Sequence, residues 1–130
     1  MEYLIYEGLK FSIEWYYDER FKSQALAYYE TLSVDERDDF LVLVKVLAEK
    51  GQIFNKEKLR NEGDKNFCIQ TKAKSILVFF TEGKKIILTN EFQKKQNKLP
   101  ANEKEKAKKI RKDYLSRVKD DIYYAKENNL

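Results

Sequence analysis

Histidine is missing from this 130-residue chain, and cysteine, proline and glycine are scarce. Without histidine the chain has no imidazole general base and no histidine-based triad, and with a single cysteine it lacks the donors of a typical zinc site. The four glycines are dispersed and form no glycine-rich phosphate loop. We therefore expect neither a conventional hydrolase nor a nucleotide-binding fold, and we predict no metal site and no cofactor.

The single cysteine also excludes a disulfide within the chain, which is typical of a reducing compartment. Cys68 lies between Phe67 and Ile69 and has no histidine partner, so we expect it to fill the core. No stretch is long and apolar enough to span a membrane, and the N-terminus lacks a basic start followed by an apolar run. The simplest expectation is a cytoplasmic protein without a membrane partner.

The composition predicts one globular domain over residues 1–130, with 42% hydrophobic, 14% aromatic and 37% charged residues. Charge is distributed unevenly: residues 1–50 contain 6 basic and 11 acidic side chains, and residues 51–130 contain 20 basic and 11 acidic ones. The basic second half indicates an anionic partner, with nucleic acid as the leading candidate. The acidic first half could receive a basic segment of a protein partner.

The first half predicts strand followed by two helices. Within residues 2–16, apolar residues alternate with polar ones before Trp15, as in a half-buried strand, and Gly8 leaves open whether this is one long strand or a hairpin. An apolar stripe predicts a helix over residues 20–31. Ser33 and Glu36 have the spacing of a capping box that begins a second helix, and Gly51 is expected to end it.

The second half predicts three strands and a long helix. We expect strands at residues 66–71, 76–80 and 86–89, with a turn over residues 82–84, and a lysine-rich helix over residues 101–124. Asn102 and Glu105 offer a second capping-box spacing. The order β-α-α-β-β-β-α predicts an α+β domain with helices on one side of a mostly antiparallel sheet.

Basic residues gather at the predicted strand ends. Lys58 and Arg60 precede the second predicted strand, while Lys72 and Lys74 lie between the second and third. A further group follows the last strand: Phe92, Gln93, Lys94, Lys95, Gln96 and Lys98. If these strands are neighbours, the cations converge at one end of the sheet in a positive surface suited to a phosphate backbone, where Phe92 would offer a stacking face to a splayed base.

Residues 87–100, ILTNEFQKKQNKLP, and the lysine-rich helix that follows resemble the phage Gp49-like branch of the RelE/HigB toxins. That branch carries a strand, a Gly-Phe-x-Lys-Lys-x-x-Lys-Thr-Pro stretch and then a Lys-rich helix. A weaker match continues upstream through residues 28–33, 47–51 and 58–60, so that the resemblance covers roughly residues 21–120.

The resemblance implies a RelE/ParE-like fold and the toxin of a type II toxin–antitoxin system, acting as an endonuclease on ribosome-bound mRNA. Cleavage would use the 2′-hydroxyl of the RNA itself, with Lys94, Lys95 and Lys74 as the catalytic cations. RNA contacts would come from the other residues of the basic group: Lys58, Arg60, Lys72, Phe92, Gln93, Gln96 and Lys98. The implied partners are mRNA on the ribosome and a cognate antitoxin, expected to be a helix-turn-helix protein.

Departures from the family pattern leave alternatives open. The arginine that members carry early in the third predicted strand is replaced by Ser75 or Ile76, depending on a one-residue choice of alignment. Asn90-Glu91 stands where His-Gly is usual, and Leu99 replaces a threonine. The missing arginine favours a non-catalytic protein of the toxin fold, or one directed at gyrase like the related ParE branch. A simple nucleic-acid-binding module would share the basic surface.

Overall fold

In the computed structural model, which describes residues 2–53, 57–71, 74–93 and 98–124, the chain forms six strands and three helices. In chain order they are β1 (Leu4–Glu7), β2 (Ser12–Trp15), α1 (Gln24–Glu30), α2 (Val34–Lys50), β3 (Leu59–Gly63), β4 (Asn66–Gln70), β5 (Ser75–Phe80), β6 (Lys85–Phe92) and α3 (Ala101–Lys119). The α+β class is confirmed, but the predicted order contained two strands too few. It had one strand in place of β1 and β2, and it lacked β3.

The N-terminal segment is a hairpin, which settles the alternative that the sequence left open. β1 and β2 pair antiparallel, and the turn between them lies against the end of α2. The backbone N–H groups of Lys10 and Phe11 both donate to the carbonyl of Ala48, each at 3.0 Å. A Cβ at Gly8 would lie 2.5 Å from the Ala48 carbonyl carbon, so only glycine permits this approach.

All six strands form one sheet in the order β1-β2-β6-β5-β4-β3. The pairs are antiparallel except for β2 with β6, which run parallel, so the expectation of a mostly antiparallel sheet is confirmed. The edge strand β3 escaped prediction because its sequence, LRNEG, has no apolar alternation.

Helices lie on both faces of the sheet, so the expectation that they share one side is wrong. Successive residues of β5 point to opposite faces. Tyr114 of α3 packs edge-on against Phe79, with ring centroids 5.5 Å apart, and Ala107 of the same helix shares a buried cluster with Leu77. The face of Phe79 and Leu77 is therefore the one that α3 covers.

The other face is covered by the helical hairpin of α1 and α2. Trp15 pairs with Leu88, and Leu88 pairs with Val78, so these three side chains share one face of the sheet. Because Val78 precedes Phe79 in β5, this face is the one opposite to Phe79. Trp15 stacks on Phe40 of α2, with ring centroids 6.1 Å apart and an angle of 13° between the planes. An amphipathic hairpin and a basic helix therefore sandwich the sheet.

Helix boundaries follow the capping chemistry. The predicted capping box of α2 is confirmed: Ser33 and Glu36 bond reciprocally, and Gly51 closes the helix at φ 74°. α1 begins later than predicted, because Phe21 has φ 61° and Ser23 is the N-cap. The second predicted capping box is wrong, since Pro100 is the N-cap of α3 and makes no side-chain cap bond.

α3 also ends earlier than predicted, at Lys119 instead of residue 124. Asp121 has φ 59°, which reverses the chain and places Tyr123 in the core with 3% exposure. None of the helices in the described part of the chain has the length and apolar character needed to cross a membrane.

Candidate functional site

The end of the sheet where β3 and β5 begin and β4 and β6 finish is called the basic end here. It carries Lys58, Lys74 and Gln93, because these residues flank neighbouring antiparallel strands. The N–H of Gln70 donates to the carbonyl of Lys58 at 2.8 Å, which joins β3 to β4 at this end. With strands about 4.8 Å apart, the basic end spans roughly 14 Å from β3 to β6.

Lys74 is the predicted catalytic cation that the structure describes. Its Nζ lies 3.3 Å from Oε2 of Glu91, and the side chain is 39% exposed. The same ammonium lies 5.5 Å from the ring centroid of Tyr28. Glu91 also accepts from Nε2 of Gln24 at 3.2 Å, so α1 holds the carboxylate in place. The positive charge of Lys74 is therefore partly neutralised by a neighbour that the chain itself supplies.

Three hydrogen bonds between Thr71 and Lys74 join the two ends of the β4–β5 loop. The N–H of Thr71 donates to the carbonyl of Lys74 at 3.0 Å. The N–H of Lys74 donates to Oγ1 of Thr71 at 3.2 Å, and that hydroxyl also donates to the Lys74 carbonyl. Lys72, predicted to contact RNA, belongs to this loop but lies outside the described residues.

The two positions that align with the family arginine are both in the interior. Ser75 is 4% exposed and its Oγ donates to Oε1 of Gln70 at 2.7 Å, while Ile76 is fully buried. Ser75 occupies the α3 face of β5, and Ile76 the opposite face. Neither position supplies a cation, whichever alignment is chosen.

The prediction that Phe92 offers a stacking face is wrong. Its ring is 4% exposed and packs in a cluster under α3 with Cys68, Leu77 and Ala107. The alternation of β6 turns this side chain toward α3, and the apolar contacts available there stabilise it more than exposure to solvent. The expectation that Cys68 fills the core is confirmed, since it is fully buried.

Asn90, one of the departures from the family pattern, has a structural role. It is fully buried, and its Nδ2 lies 3.3 Å from Oε1 of Glu103 in the first turn of α3. Its Oδ1 accepts from Oγ1 of Thr89 at 2.7 Å. This polar contact anchors the start of α3 to β6, next to the segment that carries the Lys-Lys pair.

An aromatic groove that the sequence did not indicate lies beside β3. It has a volume of about 440 Å³ and is lined by Ile53, Leu59, Arg60, Asn61 and Phe67. An adjoining groove of about 430 Å³ continues along the β3–β4 turn. The sequence places Phe67 in a strand, but only the sheet order shows that this strand lies next to the edge strand β3.

The remaining predicted site residues are distributed as follows. Arg60 lies on β3 with Nε 3.9 Å from Oε1 of Glu62, and its side chain is 44% exposed. Lys58, Gln93 and Lys98 are exposed. Lys94, Lys95 and Gln96 lie outside the described residues. The structure therefore brings Lys58, Lys74 and Gln93 to one end of the sheet.

A second basic surface covers α3, which has eight basic and three acidic side chains in its 19 residues. Asp64 in the β3–β4 turn lies 3.2 Å from Nζ of both Lys104 and Lys108. Hydrogen bonds from these two lysines lower the pKa of Asp64 from its ordinary value. Asp64 thus ties the turn to the basic helix. Across the described residues no group of three or more Cys, Asp or Glu side chains is arranged to hold a metal ion.

Comparison with known protein families gives a match that spans most of the chain. The model of the phage-derived Gp49-like protein family (DUF891) matches residues 27–112. The chain belongs to the phage-derived Gp49-like family. This is a toxin-like family of the RelE superfamily. A search of curated proteins found no match.

The Gp49-like match contains Lys58, Lys74 and Gln93 of the basic end, and both helices of the hairpin from Ala27 onward. Outside it lie the β1–β2 hairpin and the end of α3 with the reversed segment after it. These two flanking parts contact each other: Tyr3 donates to the carbonyl of Tyr123 at 3.0 Å. The N- and C-terminal segments that flank the family match therefore pack against each other.

Proposed function

We propose that this Gp49-like protein is the toxin of a type II toxin–antitoxin pair and cleaves ribosome-bound mRNA. The observation that carries the proposal is the family match, which covers every residue of the basic end. The arrangement of the strands supports it, because Lys58, Lys74 and Gln93 lie at one end of the sheet. Lys94 and Lys95 directly follow Gln93 in the sequence.

The proposed reaction is an attack by the 2′-hydroxyl of the RNA on the adjacent phosphorus. The new bond joins the 2′-oxygen to phosphorus, and the bond from phosphorus to the 5′-oxygen breaks. The hydroxyl proton leaves to a base and the 5′-oxygen gains one from an acid. Lys94 and Lys95 would stabilise the negative charge that develops on the phosphate, with Lys74 at its edge. The ribosome would hold the mRNA in the required geometry.

The aromatic groove beside β3 gives the proposal a second RNA contact in place of Phe92. Phe67 would provide a ring against which an unstacked base can pack, and Arg60 a cation for the neighbouring phosphate. Base stacking on an aromatic side chain contributes about 1–3 kcal/mol per base.

A direct test is to induce the chain in a bacterium and map the 5′ ends of its mRNA. We expect growth arrest together with new ends inside translated codons. Replacing both lysines in Lys94→Ala/Lys95→Ala should lower cleavage roughly a hundredfold, the scale seen when a transition-state contact is removed. The matched control is Lys10→Ala/Lys119→Ala, which removes the same charge at exposed positions, the first at the opposite end of the sheet and the second at the end of α3.

A non-catalytic toxin-fold protein is the second candidate, and two observations favour it. Ser75 and Ile76 carry no charge where the family arginine is expected, and Lys74 is already paired with Glu91. This candidate includes a protein directed at gyrase. Growth arrest without new mRNA ends would support it over the endonuclease, and the absence of both would indicate an inert relative.

A further inference from the structure

α2 is apolar on two sides, and among the described residues one of these sides is buried against the sheet while the other is exposed. Phe40, Val44 and Leu47 are fully buried against the sheet. The opposite side carries Val34 and Val42, which are 74% and 62% exposed, and Leu41, which is 37% exposed. A helix that faces solvent normally shows an apolar stripe on its buried side alone. The second stripe is therefore a surface that a partner can cover.

The second stripe has acidic neighbours on the same side of the helix. Val34, Asp38, Leu41 and Val42 follow one another at steps of four, three and one residues, and Asp35 precedes Asp38 and Val42 by three and seven. We call these five residues the α2 outer face. Asp35 and Asp38 are exposed, so the α2 outer face combines aliphatic side chains with negative charge.

Two basic side chains of α2 lie near this surface. Lys45 is exposed and follows Leu41 and Val42 by four and three residues, so it lies on the same side of the helix, just beyond the α2 outer face. Arg37 donates through Nη2 to the carbonyl of Glu30 at 2.8 Å. Its guanidinium lies 5.1 Å from the ring centroid of Tyr29. Arg37 therefore points to α1, while Lys45 offsets one of the two carboxylates of Asp35 and Asp38 and leaves this side of α2 with a net negative charge. Because the first 50 residues carry a net negative charge, the surrounding potential also favours a cationic partner.

We infer that the α2 outer face binds a basic amphipathic helix of an inhibitory protein partner. This rests on the proposed function, because a toxin requires an inhibitor. From Val34 to Val42 the surface is about 12 Å long, which matches roughly two helical turns. The aliphatic residues of the partner would pack on Val34, Leu41 and Val42, while its lysines or arginines would meet Asp35 and Asp38.

A second copy of the chain does not fit this surface as well. Two copies of the α2 outer face would repel each other through their carboxylates. The basic helix α3 lies on the opposite face of the sheet. If one copy docked its α3 on the α2 outer face of another, the pair would still have one free α2 outer face and one free α3. Such a head-to-tail contact does not close into a dimer.

The test uses the proteins encoded by the two genes that flank the gene of this chain. Each is purified and titrated against the wild-type chain, and each is also co-expressed with it. One variant, Asp35→Asn/Asp38→Asn, removes the two charges, and a second, Val42→Glu, disrupts the apolar stripe. The matched control, Glu7→Gln/Glu19→Gln, removes two exposed carboxylates from the same acidic half of the chain.

We expect one flanking protein to bind the wild-type and control chains with the same Kd, and both variants at least tenfold more weakly. Added salt should weaken wild-type binding more than binding of the charge variant. In co-expression, both variants should still arrest growth and escape rescue, which also shows that they fold.

Equal binding of the variants and the wild-type chain would overturn the inference, and so would the failure of both flanking proteins to bind. Concentration-dependent association of the chain alone, lost in both variants, would assign the surface to a second copy instead. If the wild-type chain binds a flanking protein through this surface but does not arrest growth, the proposed function fails while the docking surface stands.

Discussion

Glu91 determines how much charge Lys74 can offer to a phosphate. The two side chains lie 3.3 Å apart and both are partly exposed, so the pair is screened and weak as a source of stability. Its consequence is local: an RNA phosphate must compete with the carboxylate for the same ammonium. Gln24 holds Glu91 through a side-chain bond that does not require a negative charge.

Removing that carboxylate charge should strengthen RNA binding. In Glu91→Gln the amide oxygen can still accept from Gln24, while Lys74 is released toward solvent. We expect the affinity for a single-stranded RNA oligonucleotide to rise a few-fold. The slope of log K against log salt should become steeper by about 0.7, as for one more phosphate contact to a single strand. Fluorescence anisotropy at several salt concentrations measures both quantities.

The control for this measurement is Glu7→Gln, which changes the net charge equally. Glu7 ends β1 at the opposite end of the sheet and is exposed. If both variants bind RNA with the same affinity and salt slope, the effect is one of net charge, and Lys74 is not part of an RNA site.

Residue types were easier to predict than residue exposure. The sequence indicates an aromatic contact near the basic group and assigns it to Phe92, but that ring is buried beneath α3. Phe67 lines an open groove instead. Both phenylalanines lie in strands, and which of them is covered depends on the course of α3 and on β4 lying next to the edge strand. Neither fact follows from local sequence.

Among the elements, the segment after α3 depends on tyrosine hydroxyls in a way that pH can reveal. Tyr114 and Tyr124 bond through their hydroxyls at 2.7 Å, and Tyr124 donates to Oε1 of Glu14 at 2.7 Å. Burial raises the pKa of Tyr114 to about 12, from the ordinary value of 10.0. Burial, with the bonds to Tyr114 and Glu14, raises the pKa of Tyr124 further.

These raised pKa values predict a loss of stability in alkali. Below pH 10 the hydroxyl of Tyr114 is protonated in both the folded and the unfolded chain, and its stabilisation is complete. Between pH 10 and about 12 the unfolded chain ionises while the folded chain does not. The free energy of unfolding should therefore fall as pH rises through this window, by up to about 3 kcal/mol for Tyr114.

Urea unfolding at intervals from pH 8 to pH 11 measures this fall. Tyr114→Phe removes the titrating group from both states, so its curve should be flatter than the wild-type curve above pH 10. Stability at pH 8 serves as the reference for each protein. Parallel curves for the two proteins would contradict the assignment of the alkaline loss to Tyr114.

Element boundaries show where local rules suffice. The start and end of α2 follow from Ser33, Glu36 and Gly51, whose capping chemistry acts within one turn. The end of α3 does not, because the reversal at Asp121 is stabilised by distant contacts of Tyr123 with Tyr3. β3 was missed for a similar reason, since a polar edge strand is recognised only through its neighbour β4.

At the scale of the whole molecule, Tyr123 joins the two ends of the described chain. Its ring contacts those of Tyr3, Tyr16 and Tyr114, with centroids 4.7 to 6.1 Å apart. Its hydroxyl accepts from the N–H of Tyr17 at 2.9 Å. The β1–β2 hairpin and the segment after α3 therefore stabilise each other, although both lie outside the family match.

We expect Tyr123→Ala to lower the free energy of unfolding by about 3–5 kcal/mol, as for other large aromatic residues removed from a core. The adjacent Ile122 is 55% exposed, and Ile122→Ala should cost less than about 1 kcal/mol. Urea denaturation compares the two. A loss for Tyr123→Ala no larger than that for Ile122→Ala would mean that the tyrosine contacts do not hold the ends together.

The sequence by itself determined the mixed class, the amphipathic hairpin with its caps, the central strands and the separation of acidic and basic halves. These features depend on periodicity and on interactions within a few residues. It also carried the family resemblance through residues 87–100.

Only the tertiary structure decided which aromatic rings are covered, where α3 packs, and that Glu91 meets Lys74 and Tyr123 meets Tyr3. The two members of each pair are separated by many residues along the chain. Glu91 reaches Lys74 through the antiparallel register of β5 with β6, whereas Tyr123 reaches Tyr3 only when the β1–β2 hairpin joins β6 and the chain reverses after α3. Contacts of this kind depend on the whole fold, so no local pattern encodes them.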